Sequence, residues 1–189
     1  MRNGLWLIID EIDFADAEIL SVLNAVLEPN GALVLKEKGH EVIKPHENFR
    51  LFATANAVGA LAEYRGLYQG TNIMNEAFLD RWRCYVIDYL PADLEAKVLK
   101  ASIDKMTISI ADELVKVANM ARQAFQAEEL GSTFSTRRLL AWADSCMYHS
   151  KLKEQAPFKA AESTIFSKVS REDTVTLKGL MERVLLGKN

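Results

Sequence analysis

The chain has 189 residues, enough for one ordinary domain or for one and a half small ones, and its net charge is −3. Hydrophobic residues make up 49% and charged residues 26%, a balance typical of a globular protein rather than a disordered or fibrous one. The acidic net charge argues weakly against nonspecific nucleic-acid binding but leaves room for a local basic patch. No apolar run approaches the roughly 18 residues that a membrane-spanning helix needs, and no amino-terminal stretch has the pattern of a secretion signal.

The chain contains two cysteines, Cys84 and Cys146, and neither lies at a spacing typical of a metal site. Disulfides are rare in reducing compartments. We therefore interpret both side chains as reduced thiols in the core of a cytoplasmic protein.

The first predicted elements are a strand, a helix and a hairpin. Residues 5–9 form a short continuous apolar run, which is typical of a buried parallel strand. Asp16 can cap the helix that follows, in which apolar residues recur at helical spacing up to residue 27. Residues 32–35 and 41–43 predict two short strands around the turn "KEKGH", which together indicate a hairpin.

A second strand, a long loop, a short helix and a third strand follow. Residues 49–55 are the next apolar run, and they lead into Asn56. The segment 57–75 is rich in Gly, Asn and Gln and predicts a long loop, of a length that is usually functional or mobile. Asn75 can cap the short helix of "NEAFLDRW", and residues 84–90 predict a third strand.

Helical periodicity dominates the rest of the chain. Amphipathic patterns predict five helices, at residues 92–104, 109–128, 135–149, 155–168 and 171–186. The predicted fold class is therefore α/β, with an α/β domain over residues 1–91 and an all-helical domain over residues 92–189.

Two carboxylates stand directly after the first strand. In an open α/β sheet, ligands bind beyond the carboxyl ends of the strands, which is where Asp10 and Glu11 fall. One carboxylate can hold Mg²⁺ beside a phosphate, and the second can polarise an attacking water. An apolar strand followed by Asp-Glu is the layout of a Walker B element, although acids are also common where a strand simply turns into solvent. We interpret Asp13 as a loop acid or cap rather than a ligand.

Four other polar residues are candidates for the same site. Asn56 ends the second strand in the same sense as Asp10 and can contact a phosphate or a water, or it can be an ordinary turn amide. Arg81 is either a salt-bridged surface residue or a cation offered to a nucleotide. Arg137 and Arg138 stand in the first turn of a helix, where a positive charge is unfavourable for the helix dipole, and this favours a functional role.

The order of these motifs resembles that of AAA+ ATPases. The stretches "WLIIDEID", "FRLFATAN", "LDRW" and "STRRLLAW" carry the resemblance. Longer stretches, "ILSVLNAVLEPNGALVL", "VIKPHENFRLFATANAVG" and "GLYQGTNIMNEAFLDRW", are similar to the ATPase subunit of aerobic cobaltochelatase, the CobS-like branch near the MoxR ATPases. The resemblance implies a partial AAA+ parallel-sheet core, from the Walker B strand onward and with a β-hairpin insertion, followed by a helical lid domain.

The resemblance implies a role for each candidate in the α/β domain. Asp10 would be the Walker B acid that binds Mg²⁺, and Glu11 would be the catalytic glutamate. Asn56 would be the residue called sensor 1. Arg81 would be the arginine finger that acts on the nucleotide of an adjacent subunit.

The resemblance also implies a lid residue and partners. Arg137 would be the residue called sensor 2, with Arg138 as the second choice, and the hairpin would project toward a ring pore or a partner. Members of the family bind ATP and Mg²⁺ and form rings, usually hexamers. They act with a partner that carries a metal-dependent adhesion (MIDAS) domain and, in the cobalt enzyme, with a large subunit that inserts Co²⁺ into a corrin-type macrocycle.

One expected motif is missing from the 189 residues. A P-loop, G-x-x-x-x-G-K-[ST], should precede Walker B by several dozen residues, and only four residues precede Leu5. We expect an amino-terminally truncated ATPase subunit that is inactive alone, in which residues 49–55 and 84–90 each face an unpaired sheet edge. The alternative is a nucleotide-incompetent fragment that acts as an interaction module for a full-length ring or a MIDAS-domain partner. A third reading, a DNA-associated AAA+ protein, has only short basic tracts in its favour.

Overall fold

The structure is a computed structural model that describes residues 1–56 and 74–187. The predicted loop falls mainly on residues 57–73, which lie outside the described residues. The chain divides into two compact units, Met1–Val86 and Ile87–Asn189. Each unit is described by itself below.

The first unit is built on a parallel pair of strands. Strand β1, Trp6–Ile9, lies beside strand β4, Arg50–Ala53, with Trp6 opposite Arg50 and Ile9 opposite Ala53. Parallel strands need a crossover connection, and here the crossover contains helix α1, Ala17–Leu27. Asp16 occupies the N-cap position of this helix, as predicted, but its side chain makes no capping hydrogen bond.

The predicted hairpin is present within the same crossover. Strand β2, Leu33–Leu35, pairs with strand β3, Glu41–Ile43, in antiparallel register, and a short 3₁₀ turn joins them. Gly39 ends this turn with a φ of 66°, a left-handed conformation that glycine adopts without steric cost. The strand bounds agree with those predicted to within one residue.

The core of the first unit lies against one face of the parallel strands. Helix α2, Glu76–Leu79, is capped as predicted by Asn75, whose side chain accepts a hydrogen bond of 2.7 Å from the backbone N–H of Phe78. Four buried side chains form the centre of this core: Ile12, Leu23, Met74 and Phe78. Ile9, Leu51 and Ala53 point to the same face and pack against it. Because side chains alternate between the two faces along each strand, one face of the sheet packs against the core.

The prediction that residues 5–9 form a buried strand is wrong as to burial. Trp6 is 69% exposed and Ile8 is 65% exposed. The ring of Trp6 packs against that of Phe52 on β4, with ring centroids 5.4 Å apart. The reason is that a strand is buried on both faces only where helices cover both, and among the described residues the face of Trp6 has no such cover.

The prediction of a third strand at residues 84–90 is also wrong. These residues have no regular secondary structure, and Ile87 is 91% exposed. A strand exists only where a neighbouring strand completes its hydrogen-bond ladder, and within the described residues the parallel sheet has two strands, β1 and β4. Cys84 lies in this segment and is exposed, so the prediction of two core thiols holds only for Cys146, which is buried.

The second unit is helical, as predicted. Its five α-helices are α3, Ala92–Ser102; α4, Ile108–Gln126; α5, Thr136–Tyr148; α6, Ala156–Thr164; and α7, Arg171–Leu185. Ser135 caps α5 by accepting a hydrogen bond of 3.1 Å from the backbone N–H of Arg138. The indole of Trp142 is fully buried and packs edge-on against Phe134. None of the described helices is both long enough and apolar enough to cross a membrane.

Candidate functional site

The carboxyl ends of β1 and β4 meet at one residue that the sequence reading did not single out. Thr54, one residue beyond β4, donates a hydrogen bond from its Oγ1 to Oδ1 of Asp10 over 2.8 Å. The same Oγ1 accepts a hydrogen bond of 3.0 Å from the backbone N–H of Glu11. Both predicted Walker B acids are therefore held from the neighbouring strand, and both are exposed to solvent.

The backbone of Thr54 continues the same connection. Its N–H donates to the carbonyl of Ile9 over 3.0 Å, and its carbonyl accepts from the N–H of Ile12 over 2.9 Å. Between these two bonds, Glu11 has φ 52° and ψ 50°, a left-handed conformation. That conformation costs a non-glycine residue about 1–2 kcal/mol, so the surrounding hydrogen bonds must hold Glu11 in place.

Asp13 brings the end of the second strand to the same place. Its side chain is fully buried in the 3₁₀ turn Ile12–Phe14, and its Oδ2 accepts a hydrogen bond of 2.9 Å from the backbone N–H of Asn56. Asp13 is therefore a loop acid, as predicted, but its task is to anchor Asn56. The structure thus brings Asp10, Glu11 and Asn56 to one edge of the sheet.

The guanidinium of Arg81 has an intramolecular partner. Its Nε donates to Oε1 of Glu28, at the end of α1, over 2.8 Å, and Nη2 pairs with the same oxygen. Nη1 donates to the carbonyl of Ala77. In this structure the contacts of Arg81 are therefore those of a salt-bridged surface residue, which was one of the two roles considered from the sequence.

The two arginines at the start of α5 have different surroundings. Arg137 is exposed, and no hydrogen bond or ion pair ties it to another described residue. Arg138 donates to the carbonyl of Thr133 over 2.9 Å and to Ser132 over 3.3 Å. Burial lowers the pKa of the Arg138 guanidinium, while the negative charge of Asp173 opposes that shift. Of the two, Arg137 has the side chain that is available to a ligand.

A buried ion pair holds the start of α5. Arg122 on α4 contacts both carboxylate oxygens of Glu95 on α3, over 2.7 and 2.8 Å. Oε1 of Glu95 also accepts a hydrogen bond of 2.7 Å from the hydroxyl of Thr136, the first residue of α5. Nε of Arg122 donates to the carbonyl of Phe134 over 2.8 Å. The position of Arg137 is thereby tied to two other helices.

Tyr89 extends this network. The guanidinium carbon of Arg122 lies 3.8 Å from the centroid of the Tyr89 ring, in the geometry of a cation–π contact. The Tyr89 hydroxyl is 2.8 Å from Oγ1 of Thr133. The segment just before α3 is therefore bound to the loop that leads into α5.

Sequence reasoning missed Thr54, Glu95 and Arg122. The sequence did contain a clue to Thr54. This hydroxyl residue stands two positions before Asn56, near the end of the second predicted strand, and the first predicted strand ends in acids. Glu95 and Arg122 each fall among apolar positions of an amphipathic helix, which marks a charge that needs a partner. What the sequence lacked was the identity of the partner, because the two residues are 27 positions apart.

The donor set at the strand ends suits Mg²⁺ beside a phosphate better than a dedicated metal cage. The described residues contain no group of three or more His, Cys, Asp or Glu side chains that could hold a metal ion. Mg²⁺ is commonly bound through one or two carboxylates, with waters and substrate phosphates completing its shell. Oδ1 of Asp10 is engaged by Thr54, and Oδ2 accepts no hydrogen bond from a described residue. That second oxygen is the one that fits such an ion.

Two families match this chain. The family described as AAA domain (dynein-related subfamily) matches residues 1–82, and the family described as CbbQ/NirQ/NorQ C-terminal matches residues 95–185. The first match contains Asp10, Glu11, Asn56 and Arg81, and the second contains both arginines of α5.

Individual proteins also have sequences similar to that of this chain. The aerobic cobaltochelatase subunit CobS of a Sinorhizobium species is 38% identical over 149 residues, which is 76% of this chain and 44% of that protein. Midasin of Dictyostelium discoideum is 32% identical over 76% of this chain and 2% of its own length. An uncharacterised protein of Staphylococcus haemolyticus is 32% identical over 70% of this chain and 48% of its own length. The chain thus spans less than half of the length of each of these three relatives.

Three findings define the class of this protein: the parallel strands that lead into Asp10, Glu11 and Asn56, the helical unit that follows, and the two family matches. The chain belongs to the AAA+ ATPase family. Within that family it is CobS-like, as its motifs predicted, with midasin among its further relatives. The predicted fold class, a partial AAA+ core followed by a helical domain, is confirmed at the same time.

Proposed function

We propose that this chain supplies the Walker B, sensor and lid portion of an ATP-hydrolysing AAA+ ring subunit of the cobaltochelatase type, which drives metal insertion or partner remodelling. One observation carries the proposal. Because β1 pairs in parallel with β4, Asp10, Glu11 and Asn56 all lie at the carboxyl ends of these two strands. Thr54 bonds to Asp10 and Glu11, and Asp13 bonds to Asn56. The sequence similarity to the CobS subunit supports the same reading.

Asp10 and Glu11 would have different roles in hydrolysis. Asp10 would hold Mg²⁺ through its Oδ2, and the ion would neutralise charge on the phosphates. Glu11 would accept a hydrogen bond from the attacking water and orient that water toward the γ-phosphate. The backbone of Glu11 is in the left-handed conformation directly after the strand that carries Asp10.

The other candidates would act on the phosphates. Asn56 would contact the γ-phosphate or hold the water against Glu11. Arg137 would reach the nucleotide from the lid, since it is exposed whereas Arg138 is engaged by Thr133. Arg81 would act on the nucleotide of the neighbouring subunit, which requires it to leave Glu28. A guanidinium suits this task because its planar fork matches phosphate oxygens.

The assembly and setting belong to the same proposal. The full-length subunit would form a ring, with six copies as the expected number, in the cytoplasm. A MIDAS-domain protein and a large chelatase subunit would be its partners, and a metal ion and a corrin-type macrocycle would be the substrates of the complex. The domain division at residues 1–91 and 92–189 is retained in this proposal as core and lid.

The test joins the chain behind the P-loop segment of the cobaltochelatase relative and measures ATP hydrolysis. We expect Glu11→Gln, Asn56→Ala and Arg81→Ala each to abolish steady-state hydrolysis, with Glu11→Gln still binding ATP. Glu18→Gln, which changes an exposed acid in the first turn of α1, is the matched control and should hydrolyse ATP at the parental rate. Parental rates in both Glu11→Gln and Arg81→Ala would refute the proposal.

A second candidate function rests on a different observation. The face of the sheet formed by Trp6, Ile8 and Phe52 is exposed, and an exposed apolar face of this kind is typical of a surface that another polypeptide covers. The chain would then be a nucleotide-incompetent module that binds a full-length AAA+ ring or a MIDAS-domain partner. A pull-down against the full-length homologue, with ATP binding followed by calorimetry, separates the two functions: the module binds the ring without binding ATP.

A further inference from the structure

We infer that Thr54 is a positioning residue of this site: its hydroxyl sets the orientation of the Asp10 carboxylate and holds Glu11 in its left-handed conformation. The inference rests on the proposed ATPase function. It goes beyond that function because it names the residue that makes Asp10 and Glu11 act as a pair.

The hydrogen-bond polarity at Thr54 has one solution. A backbone N–H can only donate, so the bond of 3.0 Å from Glu11 uses a lone pair of Oγ1. An ionised carboxylate can only accept, so the hydroxyl proton of Thr54 points to Oδ1 of Asp10 over 2.8 Å. The hydroxyl is thus both acceptor and donor, and a methyl group in its place would lose both bonds.

The bond to Asp10 decides which carboxylate oxygen faces a ligand. Because Oδ1 is engaged by Thr54, the rotation of the carboxylate about its Cβ–Cγ bond is restricted and Oδ2 is presented in a defined direction. Groups that orient a metal ligand in this way are worth roughly 10- to 100-fold in metal affinity or activity when they are removed. The hydroxyl of Thr54 therefore prepares Asp10 for the ion.

The bond to Glu11 compensates for backbone strain. Glu11 has φ 52°, where a side chain with a Cβ is disfavoured. Thr54 accepts from the N–H of Glu11 itself and also bonds through its backbone to Ile9 and Ile12, on both sides of the strained residue. Four hydrogen bonds from a single residue thus surround Glu11, and only the hydroxyl pair depends on the identity of the side chain.

Two substitutions at Thr54 separate the hydroxyl from the rest of the side chain. Thr54→Val keeps the shape and removes the hydroxyl, whereas Thr54→Ser keeps the hydroxyl and removes the methyl group. Thr54 is exposed as a residue, but the methyl group that replaces its hydroxyl in Thr54→Val faces Oδ1 of Asp10 and the N–H of Glu11. The hydroxyl lies only 2.8 and 3.0 Å from these atoms, so both must shift slightly to admit a methyl group. Thr54→Ala is a second hydroxyl-free variant that adds no bulk, and it replaces Thr54→Val if that protein does not fold.

The experiment uses the protein with its P-loop segment and measures kcat, KM for ATP and the Mg²⁺ concentration at half-maximal rate. In Thr54→Val we expect kcat to fall and the Mg²⁺ requirement to rise, together by roughly 10- to 100-fold, with KM for ATP within about twofold of the parental value because the phosphate cradle is untouched. Binding of a fluorescent ATP analogue in EDTA should stay unchanged. Thr54→Ser should behave like the parent.

A purely structural role would have a different signature. It would lower the thermal midpoint and the active fraction while leaving the Mg²⁺ requirement unchanged. Parental kcat and Mg²⁺ requirement in the hydroxyl-free variants, or equal impairment of Thr54→Ser and Thr54→Val, would overturn the inference. If Glu11→Gln is inactive while Thr54→Val is fully active, only this inference fails; if Glu11→Gln hydrolyses ATP normally, the proposed function itself fails.

Discussion

Glu95 and Arg122 form a bidentate ion pair inside the helical unit, with N–O distances of 2.7 and 2.8 Å. The side chain of Glu95 is fully buried and that of Arg122 is 6% exposed. The pair joins α3 to α4, and its hydrogen bonds to Thr136 and Phe134 fix the segment that begins α5. The orientation of Arg137 therefore depends on a charge pair that is remote from it in sequence.

Breaking this pair should destabilise the protein strongly. Removing one partner of a buried ion pair leaves the other charge without compensation, which costs about 3–5 kcal/mol. We expect Glu95→Ala to lower the free energy of unfolding of the helical unit by that amount, measured by urea denaturation followed through Trp142 fluorescence in a protein that lacks Trp6 and Trp82.

The control for this prediction is an exposed ion pair in the same unit. Lys97 and Asp93 are four residues apart on α3, with N–O 3.2 Å and both side chains more than 60% exposed. Such helix pairs are worth about 0.3–0.5 kcal/mol, so Lys97→Ala should change stability little. Equal effects of Glu95→Ala and Lys97→Ala would contradict the buried-pair argument.

The contribution of Glu95 should depend on pH. Burial raises the pKa of the Glu95 carboxyl, but the hydrogen bonds from Arg122 and Thr136 and the charge of Arg122 outweigh burial, so the pKa lies below its ordinary value of 4.5. The unfolded chain then binds a proton more readily than the folded one. The stabilisation is complete above about pH 4.5 and is lost as pH falls through the folded-state pKa.

The measurement is the free energy of unfolding between neutral pH and about pH 3, for the parent and for Glu95→Gln. The difference between the two proteins should be largest near neutral pH and should shrink at the acid end. Thr136→Val removes one of the hydrogen bonds that lower the folded-state pKa of Glu95, so its acid-dependent loss of stability should be smaller than that of the parent and should be complete at a higher pH. A difference that is constant across the range would show that Glu95 does not titrate as argued.

Arg81 and Glu28 offer a test of two roles for one guanidinium. If Arg81 serves only the ion pair with Glu28, then Arg81→Ala and Glu28→Ala should have the same effect, a stability loss within about 1 kcal/mol. If Arg81 is the arginine finger, Arg81→Ala should also lower kcat by about 10³-fold or more. Glu28→Ala should then leave kcat at or above the parental value, because it releases the guanidinium. ATPase rates and thermal midpoints of both variants decide between the roles.

We expect Arg137 to contribute to ATP binding and Arg138 to contribute to the stability of the helical unit. Arg137 is exposed and tied to no described residue, so Arg137→Ala should leave stability unchanged while weakening ATP binding by about 10- to 100-fold, the worth of a hydrogen bond to a charged group. Arg138 bonds to Thr133 and Ser132, so Arg138→Ala should cost about 1–3 kcal/mol of stability. Calorimetric ATP titration and denaturant unfolding measure the two effects. The reverse assignment would make Arg138 the sensor 2 residue.

The two cysteines should differ sharply in reactivity. Burial raises the pKa of the Cys146 thiol to about 12, and the thiolate is the reactive form. We expect a thiol reagent at mildly alkaline pH to label the native protein at Cys84, which is exposed, and to label Cys146 only after unfolding. Mass spectrometry of the labelled protein counts the modified thiols, and Cys84→Ser should show no label in the native state.

Much of the local structure was predictable because it depends on neighbours in sequence. The five helices of the second unit follow from apolar periodicity, and Asn75 and Ser135 cap their helices as expected. The hairpin was predictable from its turn residues. The candidate Walker B acids, Asp10 and Glu11, stood out because a strand and the charges that follow it are contiguous in sequence.

The failed predictions concern long-range partners. Residues 84–90 have a strand-like composition but no strand because a β-ladder needs a second chain segment beside it. The burial of β1 failed for the same kind of reason, since covering a face depends on elements that lie elsewhere in the chain.

The sequence by itself determined which elements could form, which family the motifs resemble and where the acids stand, because periodicity, capping and motif order are properties of adjacent residues. Only the tertiary structure decided that Thr54 joins Asp10 to Glu11, that Asp13 anchors Asn56 and that Arg122 neutralises Glu95. These contacts link residues 27 to 44 positions apart. Hydrogen bonds and ion pairs act over a few ångströms in space, and distance along the chain does not determine distance in space.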